Sequence, residues 1–269
     1  MTTLGALKEN WDCLAQNDPL WAICTDPSKR NRGWNQEEFF STGQAEIETV
    51  LQYISSLGLT PEFDGAALDF GCGVGRLTQA LASRFAACIG VDISPTMVKT
   101  ADSLNRYPGK CRYVLNDSDK LPGLGDNHFA FVYSSIVLQH IAPEYTVGYL
   151  REFARVLKPG GILVFQLPSH RRVWMGRLRT KLRLRYRVDT VLGRLGFSGR
   201  ELANRIEMNC LAEDEVRKAV RNECQVVNVA MTNSCDPDFY GRFRYCNAEP
   251  STGFVSKQYV MTKPAAVAQ

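Results

Sequence analysis

The chain has 269 residues, of which 45% are hydrophobic and 22% are charged, and its formal net charge is +4. These values are typical of a globular protein with one large domain, or with one domain and a modest appendage. No apolar run reaches the ~18 residues of a membrane-spanning helix, and residues 1–10 lack the features of a signal peptide.

The nine cysteines are scattered, with no Cys-x-x-Cys pair and no cluster with histidine. An odd number without a pattern indicates reduced thiols rather than a disulfide framework or a zinc site. We therefore expect a cytoplasmic protein without a bound metal.

The first 60 residues are predicted to form a helical extension that packs on the main domain. Residues 1–35 are expected to be irregular or to form short helices, and they hold too many large apolar side chains for a free tail. These side chains are Trp11, Leu14, Leu20, Trp21, Ile23 and Trp34. Apolar residues spaced by three and four between Ile47 and Leu57 predict a helix that Gly58 ends.

Short apolar strands alternate with helices from residue 61 to residue 168. The predicted strands are Ala66–Phe70, Ala87–Val91, Cys111–Leu115, Phe129–Ser135 and Gly161–Leu167. The predicted helices are Leu77–Phe85, Pro95–Asn105 and Tyr145–Leu157. This alternation predicts βαβ units in a parallel sheet, whose ligands bind at the carboxyl ends of the strands.

Residues 211–269 are predicted to complete the same domain. A helix is expected at Leu211–Arg221, and closing antiparallel strands are expected at Gln225–Met231 and Phe254–Thr262.

A glycine-rich turn connects the first of these strands to its helix. Within Leu68–Thr78, Asp69 is followed by Gly71, Gly73 and Gly75. Glycine suits a backbone that needs positive φ or that a ligand approaches closely, and a helix N-terminus favours anions. The dinucleotide pattern Gly-x-Gly-x-x-Gly fails here, because its third glycine would fall on Arg76.

The turn instead resembles motif I of the class I S-adenosylmethionine (SAM) methyltransferases, Asp/Glu-x-Gly-x-Gly-x-Gly. The resemblance implies an α/β, Rossmann-like fold with a seven-stranded, mostly parallel sheet and helices on both faces. It also implies SAM as the cofactor and S-adenosylhomocysteine (SAH) as the product. The cofactor-binding residues that it implies in this stretch are Asp69, Gly71, Cys72, Gly73 and Gly75.

Polar residues follow the next strands. Asp92 comes 23 residues after Asp69, near the ~20 at which an acidic residue meets a ribose in βαβ units, and Ile93 can lie against adenine. The alternative is a role in capping the helix that begins at Pro95, and both roles are compatible.

By resemblance, further cofactor contacts are expected from three other segments. The third strand ends in Asn116, Asp117 and Ser118, and the family has an acidic group there that accepts from the adenine amino group. Ser134 lies at the end of the fourth strand. The segment Phe39–Gly43, expected to precede the predicted helix, resembles one that covers the SAM pocket through Thr42 and Gly43; plain helix packing is the alternative.

His140 is the first candidate for a general base, because it follows the fourth strand on the side that faces the methyl group. His170 is a weaker candidate, and a packed, non-catalytic histidine is the alternative for His140. No Asn/Asp-Pro-Pro-aromatic segment follows this strand, which disfavours methylation of base or amide nitrogens. We therefore expect transfer to oxygen on a small molecule or biosynthetic intermediate.

Residues 169–210 form a basic insertion, predicted to be a helical cap over the acceptor site. Between His170 and Arg200 it holds ten basic residues and one acid, Asp189. Three interpretations remain open: a solvated cap, attraction to an anionic acceptor or membrane face, and nucleic acid, which we disfavour because no RNA-binding module is evident. The alternative to an enzyme is a catalytically silent SAM-fold protein that docks through this segment, and the oligomeric state is not predicted.

Overall fold

The computed structural model describes residues 3–172 and 207–265. Eight strands form one sheet, β1 (Ala66–Phe70), β2 (Ala87–Asp92), β3 (Cys111–Leu115), β4 (Phe129–Ser134), β5 (Leu157–Arg172), β6 (Gln225–Thr232), β7 (Tyr245–Cys246) and β8 (Gly253–Thr262). Their order is β3-β2-β1-β4-β5-β8-β6-β7. The first five strands are parallel, and β8, β6 and β7 continue the sheet with antiparallel pairs. This is the mostly parallel, Rossmann-like sheet that the sequence predicts.

The α-helices of the described residues are α1 (Leu4–Asn17), α2 (Pro19–Ile23), α3 (Gln36–Ser56), α4 (Arg76–Ala82), α5 (Pro95–Ser103), α6 (Pro143–Val156) and α7 (Glu213–Val220). Local chemistry fixes several of their ends. Asn35 accepts a hydrogen bond from the Glu38 N–H and starts α3. Ser94 accepts from the Met97 N–H and starts α5, with Pro95 in the first turn.

The helices cover both faces of the sheet. On one face, α3 and α4 pack through apolar residues such as Ile54 and Leu81. On the other face, α6 and α7 pack through residues such as Phe153 and Val216. The strands between the two layers are buried, and the carboxyl ends of β1, β2 and β4 remain for the site.

Three predicted details differ from the structure. The sheet has eight strands rather than seven, because Tyr245–Cys246 adds a two-residue edge strand. Phe39–Gly43 lies inside α3 rather than before it, because the Asn35 cap starts the helix earlier. β5 is Leu157–Arg172 rather than Gly161–Leu167, because Leu157 already pairs with Phe129 of β4 and the pairing with β8 continues as far as Gly253.

The N-terminal helices lie at the carboxyl ends of the strands. Asp12 of α1 accepts from the Ser94 hydroxyl at 2.7 Å and from the Thr96 N–H at 2.9 Å. Lys8 forms an ion pair with Asp117 at 2.8 Å. These contacts hold α1 across the start of α5 and the end of β3.

The basic insertion lies mostly outside the described residues. His170, Arg171 and Arg172 belong to β5, and residues 173–206 are not described. The prediction of a helical cap falls on that range. None of the helices in the described residues has the length and apolar character that a bilayer crossing requires.

Candidate active site

The glycine turn after β1 begins the site. Gly71, Gly73 and Gly75 have φ values of 77°, 52° and 82°. These are left-handed conformations that residues with a Cβ adopt at a cost. A Cβ on Gly73 would also lie 2.5 Å from the Ile23 side chain. The turn therefore depends on glycine both for its backbone and for the close approach of the N-terminal segment.

Asp92 at the end of β2 is bonded to this turn. Its carboxylate accepts from the Gly73 N–H at 2.8 Å and from the Ser94 N–H at 2.9 Å. Burial raises the pKa of Asp92, and the backbone hydrogen bonds oppose that shift. Each carboxylate oxygen can accept more than one hydrogen bond, so Asp92 retains acceptor capacity for ligand hydroxyl groups.

A cavity of about 440 Å³ opens beside Asp92. Its cofactor end is lined by Tyr149 of α6 and by residues at or just after the ends of parallel strands: Phe70, Gly71, Cys72, Asp92, Ile93 and Asn116. This volume lies within the range of roughly 300–1,000 Å³ for small-molecule sites. The cavity is thus large enough for a nucleotide-sized ligand at the strand ends.

The other end of the cavity is a chamber with mainly apolar walls, which we call the acceptor chamber. Its lining residues come from distant parts of the chain: Trp11, Trp21, Ile23, Ser135, Ile136, Gln139, His140, Met208, Ser234, Cys235, Asp236, Phe239 and Tyr240. The charged side chains at the described cavity wall have partners. Arg76 forms an ion pair with Glu46 at 2.8 Å, and Asp236 forms one with Arg244 at 3.4 Å.

Among the predicted cofactor contacts, Gly71, Cys72, Asp92, Ile93 and Asn116 line this cavity. Gly73 and Gly75 shape the turn beside it. The side chain of Asn116 donates to the Ser118 carbonyl at 3.2 Å, and that carbonyl also accepts from Tyr149 at 2.6 Å.

Other predicted contacts have different neighbours. Asp117 forms an ion pair with Lys8 and is largely exposed. The Ser134 hydroxyl donates to the Phe70 carbonyl at 3.0 Å. Thr42 donates to the Phe39 carbonyl at 2.7 Å, and a Cβ on Gly43 would lie 2.5 Å from the Arg76 carbonyl oxygen. None of these four residues lines the cavity.

Asp69 lies beneath the turn, with 1% of its surface exposed. Its carboxylate accepts from the Thr78 hydroxyl at 2.6 Å. Burial raises the pKa of Asp69 to about 7. The described contact of this side chain therefore supports the start of α4 from within the core.

His140 lines the acceptor chamber, and its ring packs edge-on against Trp11 with 5.4 Å between centroids. Its Nδ1 lies 3.0 Å from the Glu207 carbonyl, and its Nε2 lies 3.1 Å from the Gln139 side-chain nitrogen. Burial lowers the pKa of His140 to about 4. The imidazole is therefore neutral at physiological pH.

His170 has a different environment. It is half exposed on β5, where Nδ1 lies 3.0 Å from the Ser169 hydroxyl and Nε2 lies 3.9 Å from Glu249. It does not line the cavity, so the structure offers His170 no route to a reacting group there.

The prediction from sequence did not include several chamber residues. Ser135, one position after the predicted Ser134, lines the cavity, and its buried hydroxyl has no partner in the described structure. Six of the residues from Ser234 to Tyr240, all except Asp238, also line the chamber. No local pattern marks them, because they reach the chamber only through the pairing of β6 with β8.

The structure is that of an α/β protein with a cavity at the carboxyl ends of its parallel strands, the place where such folds bind nucleotides. Residues 68–165 match the family model described as "Methyltransferase domain". The chain carries a class I SAM-dependent methyltransferase domain, and SAM is the cofactor of that family.

Curated relatives are methyltransferases of small molecules. The chain is 28% identical over 141 residues to the chloroplastic tocopherol O-methyltransferase of Arabidopsis thaliana, covering 49% of this chain and 40% of that protein. It is 34% identical over 107 residues to trans-aconitate 2-methyltransferase of Delftia acidovorans, covering 39% and 38%. The matches thus span less than half the length of these relatives.

A solved structure shares the fold over nearly the whole chain. The magnesium protoporphyrin IX methyltransferase of Synechocystis PCC 6803 with bound SAH superimposes with a TM-score of 0.59 and 17% identity. The superposition covers 97% of this chain and 99% of that one.

The residues of the site fit SAM. The Asp92 carboxylate suits two ribose hydroxyls, the apolar Ile93 suits a flat adenine ring, and the three glycines leave the turn free of side chains. The unpartnered Ser135 hydroxyl supplies a further polar group at the cavity wall.

Proposed function

We propose that the protein transfers a methyl group from SAM to a small, largely apolar acceptor, at an oxygen atom. One observation carries the proposal: a single cavity extends from the glycine turn and Asp92 to a chamber walled by aromatic and aliphatic side chains. SAM supplies an electrophilic methyl group on a sulfonium. The chain has to hold the acceptor in line with that methyl and to exclude water.

The roles within the cavity divide between its two ends. Asp92 and the glycine turn bind the nucleoside, and Ser135 lies where the two ends meet. Trp11 and Trp21, carried by α1 and α2, cover the chamber and exclude water. Phe239 and Tyr240 supply the opposite apolar surface for the acceptor.

Two observations support oxygen as the methylated atom. The segment after β4 is Ser135-Ile136-Val137 rather than the Asn/Asp-Pro-Pro-aromatic pattern associated with nitrogen methylation of bases and amides. The Arabidopsis relative is named an O-methyltransferase. We also propose a reducing, cytoplasmic location, because all nine cysteines are free thiols.

A turnover assay tests the proposal. The full chain is incubated with labelled SAM and a panel of apolar phenols, carboxylic acids and amines, and SAH release and product mass are followed. We expect SAH release above the rate without acceptor for at least one oxygen acceptor. SAH binding without turnover across the panel would favour the silent interaction protein, and absence of SAH binding would overturn the cofactor assignment.

The basic segment supports a second candidate acceptor, a lipid- or sugar-phosphate intermediate at an anionic membrane face. Ten basic residues lie between His170 and Arg200, and the described chamber wall offers no unpaired cation for a phosphate. We propose that these basic residues recognise the anionic group of such an acceptor. Co-sedimentation with phosphatidylglycerol vesicles tests this: Arg179, Arg183 and Arg187 replaced together by Gln should lower vesicle binding at low salt. Equal binding by both proteins would exclude the membrane version.

A further inference from the structure

A buried chain of side-chain hydrogen bonds runs beneath the acceptor chamber. Gln166 of β5, which has 0% of its surface exposed, lies at its centre. Gln166 contacts the Ile136 N–H, the Gln139 side chain and the Ser256 hydroxyl. The donor and acceptor atoms of each amide and imidazole in this hydrogen-bond network can be assigned. The network begins at a backbone N–H, which can only donate, and ends at a backbone carbonyl, which can only accept.

The first end is the Ile136 N–H, which can only donate. It donates to Gln166 Oε1 at 3.0 Å. The Gln166 amide nitrogen must then point the other way, and it donates to Gln139 Oε1 at 3.2 Å. Gln139 therefore presents its own amide nitrogen to His140 Nε2 at 3.1 Å.

The second end is the Glu207 carbonyl, which can only accept. It lies 3.0 Å from His140 Nδ1, so the proton of the neutral imidazole belongs on Nδ1. Nε2 then has the lone pair that the Gln139 amide requires. Both ends of the hydrogen-bond network thus require the same tautomer of His140, with the proton on Nδ1.

Gln166 also forms a hydrogen bond with Ile136, which has an unusual backbone conformation. Ile136 lines the cavity and has a φ of 61°, a conformation that is costly for a β-branched residue. Its N–H is the group that Gln166 accepts from. One side chain therefore stabilises the left-handed residue after β4 and orients the amide that contacts His140.

A second branch of the hydrogen-bond network leads from Gln166 to Ser234 at the chamber wall. The Gln166 amide donates to Ser256 Oγ at 2.8 Å, which leaves the Ser256 proton free for Thr232 Oγ1 at 2.8 Å. Thr232 in turn donates to Ser234 Oγ at 3.1 Å. The Ser234 hydroxyl proton is then available to a chamber ligand, because its oxygen has already accepted.

We propose that Gln166 is a positioning residue that fixes His140 as the neutral, Nδ1-protonated imidazole and holds Ile136 against the chamber. His140 Nε2 is then occupied by Gln139 and does not take a proton from the acceptor. The acceptor group reaches the methyl already deprotonated, or loses its proton to water. This consequence for the reaction rests on the proposed function, whereas the tautomer does not.

Nuclear magnetic resonance of the wild-type chain with SAH tests the tautomer directly. With three histidines in the sequence, ¹⁵N-histidine labelling yields three rings, which His128→Gln and His170→Gln assign. We expect His140 as the Nδ1–H tautomer, without titration between about pH 5 and pH 8. An Nε2–H tautomer of His140, or titration of His140 within that range, would overturn the proposal. This measurement needs no substitution in the hydrogen-bond network.

Gln166→Glu tests the causal step. The new carboxylate still accepts from the Ile136 N–H, but it cannot donate to Gln139. The Gln139 amide then turns its oxygen toward His140 Nε2. Both ring nitrogens would face oxygen acceptors, so the charged imidazolium is favoured and His140 should titrate between about pH 5 and pH 8.

Gln258→Glu is the matched control. Gln258 is equally buried and is the residue of β8 that pairs with Gln166 across the strands. Its side chain accepts from the Tyr245 hydroxyl at 2.6 Å and has no described hydrogen bond to Gln166, Gln139 or His140. This control should leave the His140 resonance unchanged. Equal shifts in both variants, or none in Gln166→Glu, would overturn the proposal. SAH binding by calorimetry is measured separately, so a failure of the cofactor assignment is distinguishable.

Discussion

The two ends of the cavity are built in different ways. The cofactor end is made by short segments that directly follow strands, with glycine backbone and the Asp92 carboxylate as the binding groups. The acceptor chamber combines the segment that follows β4 with side chains from α1, α2, Met208 and the stretch between Ser234 and Tyr240, which lie far apart in sequence. The binding groups of the first end are therefore local and those of the second depend on tertiary packing. The reaction chemistry can be read from local motifs at the first end, whereas the acceptor is selected at the second.

Replacing Gly73 should have the largest effect at the cofactor end. In Gly73→Val, the branched side chain occupies a position with a φ of 52° and a Cβ 2.5 Å from Ile23. We expect calorimetry to detect no SAH binding. Gly109→Val is the control, because no atom lies within 4 Å of a Cβ there. Wild-type affinity in the Gly73 variant would mean that the glycine is not needed for the ligand.

Replacing the Asp92 carboxylate should weaken rather than abolish binding. Asp92→Asn loses the charge and one of the oxygens that accept from Gly73 and Ser94. A hydrogen bond to a charged group contributes about 1.5–3 kcal/mol, so the SAH dissociation constant should rise by roughly 10- to 100-fold. Asp102→Asn, on the exposed side of α5, should change nothing. Unchanged affinity in a folded Asp92 variant would contradict the ribose assignment.

The acceptor end should make stability depend on pH. Folding lowers the pKa of His140 from its ordinary value of 6.5 to about 4. Between pH 6.5 and pH 4, the unfolded chain therefore binds a proton at His140 more readily than the folded chain does. Stability should therefore fall as pH falls through that range, by about 2 kcal/mol after allowance for partial exposure.

Chemical denaturation of His140→Asn isolates this contribution, because asparagine can still donate to Glu207 and does not titrate. The stability difference from wild type should change with pH between about 6.5 and 4. His128→Asn, at an exposed site, is measured in parallel as a control for the substitution itself. A pH-independent difference for His140→Asn would show that His140 is not held neutral.

The N-terminal cover should contribute the smallest of these effects. Asp12→Ala removes the acceptor for the Ser94 hydroxyl and the Thr96 N–H, and so loosens α1 over the cavity. Each such bond contributes about 0.5–1.5 kcal/mol, so SAH should dissociate roughly tenfold faster. Stopped-flow measurement compares this variant with Glu9→Ala, an exposed position on the same helix. Equal dissociation rates would show that α1 does not retain the cofactor.

The sequence predicts one end of the cavity much better than the other. Local patterns that need no knowledge of packing predict the cofactor end. They are the alternation of strands and helices and the order Asp69, Gly71, Gly73, Gly75 and Asp92. The observed ends of an element differ from the predicted ends where pairing with a distant strand extends it, as in the extension of β5 along β8.

Chamber residues could not be predicted in the same way. Cys235 and Phe239 follow β6 with no distinctive spacing, and Gln166 reads as an ordinary strand residue until its partners are known. His140 was correctly placed after β4, but its hydrogen bond to Glu207 spans 67 residues. Its protonation is therefore a property of the folded chain.

A crystal structure of the full chain with SAH tests the central claim most directly. We predict the ribose on Asp92, the adenine beside Ile93 and Asn116, and the homocysteine sulfur facing the chamber between Ser135 and His140. A ribose that does not contact Asp92, or a sulfur directed away from that chamber, would contradict it.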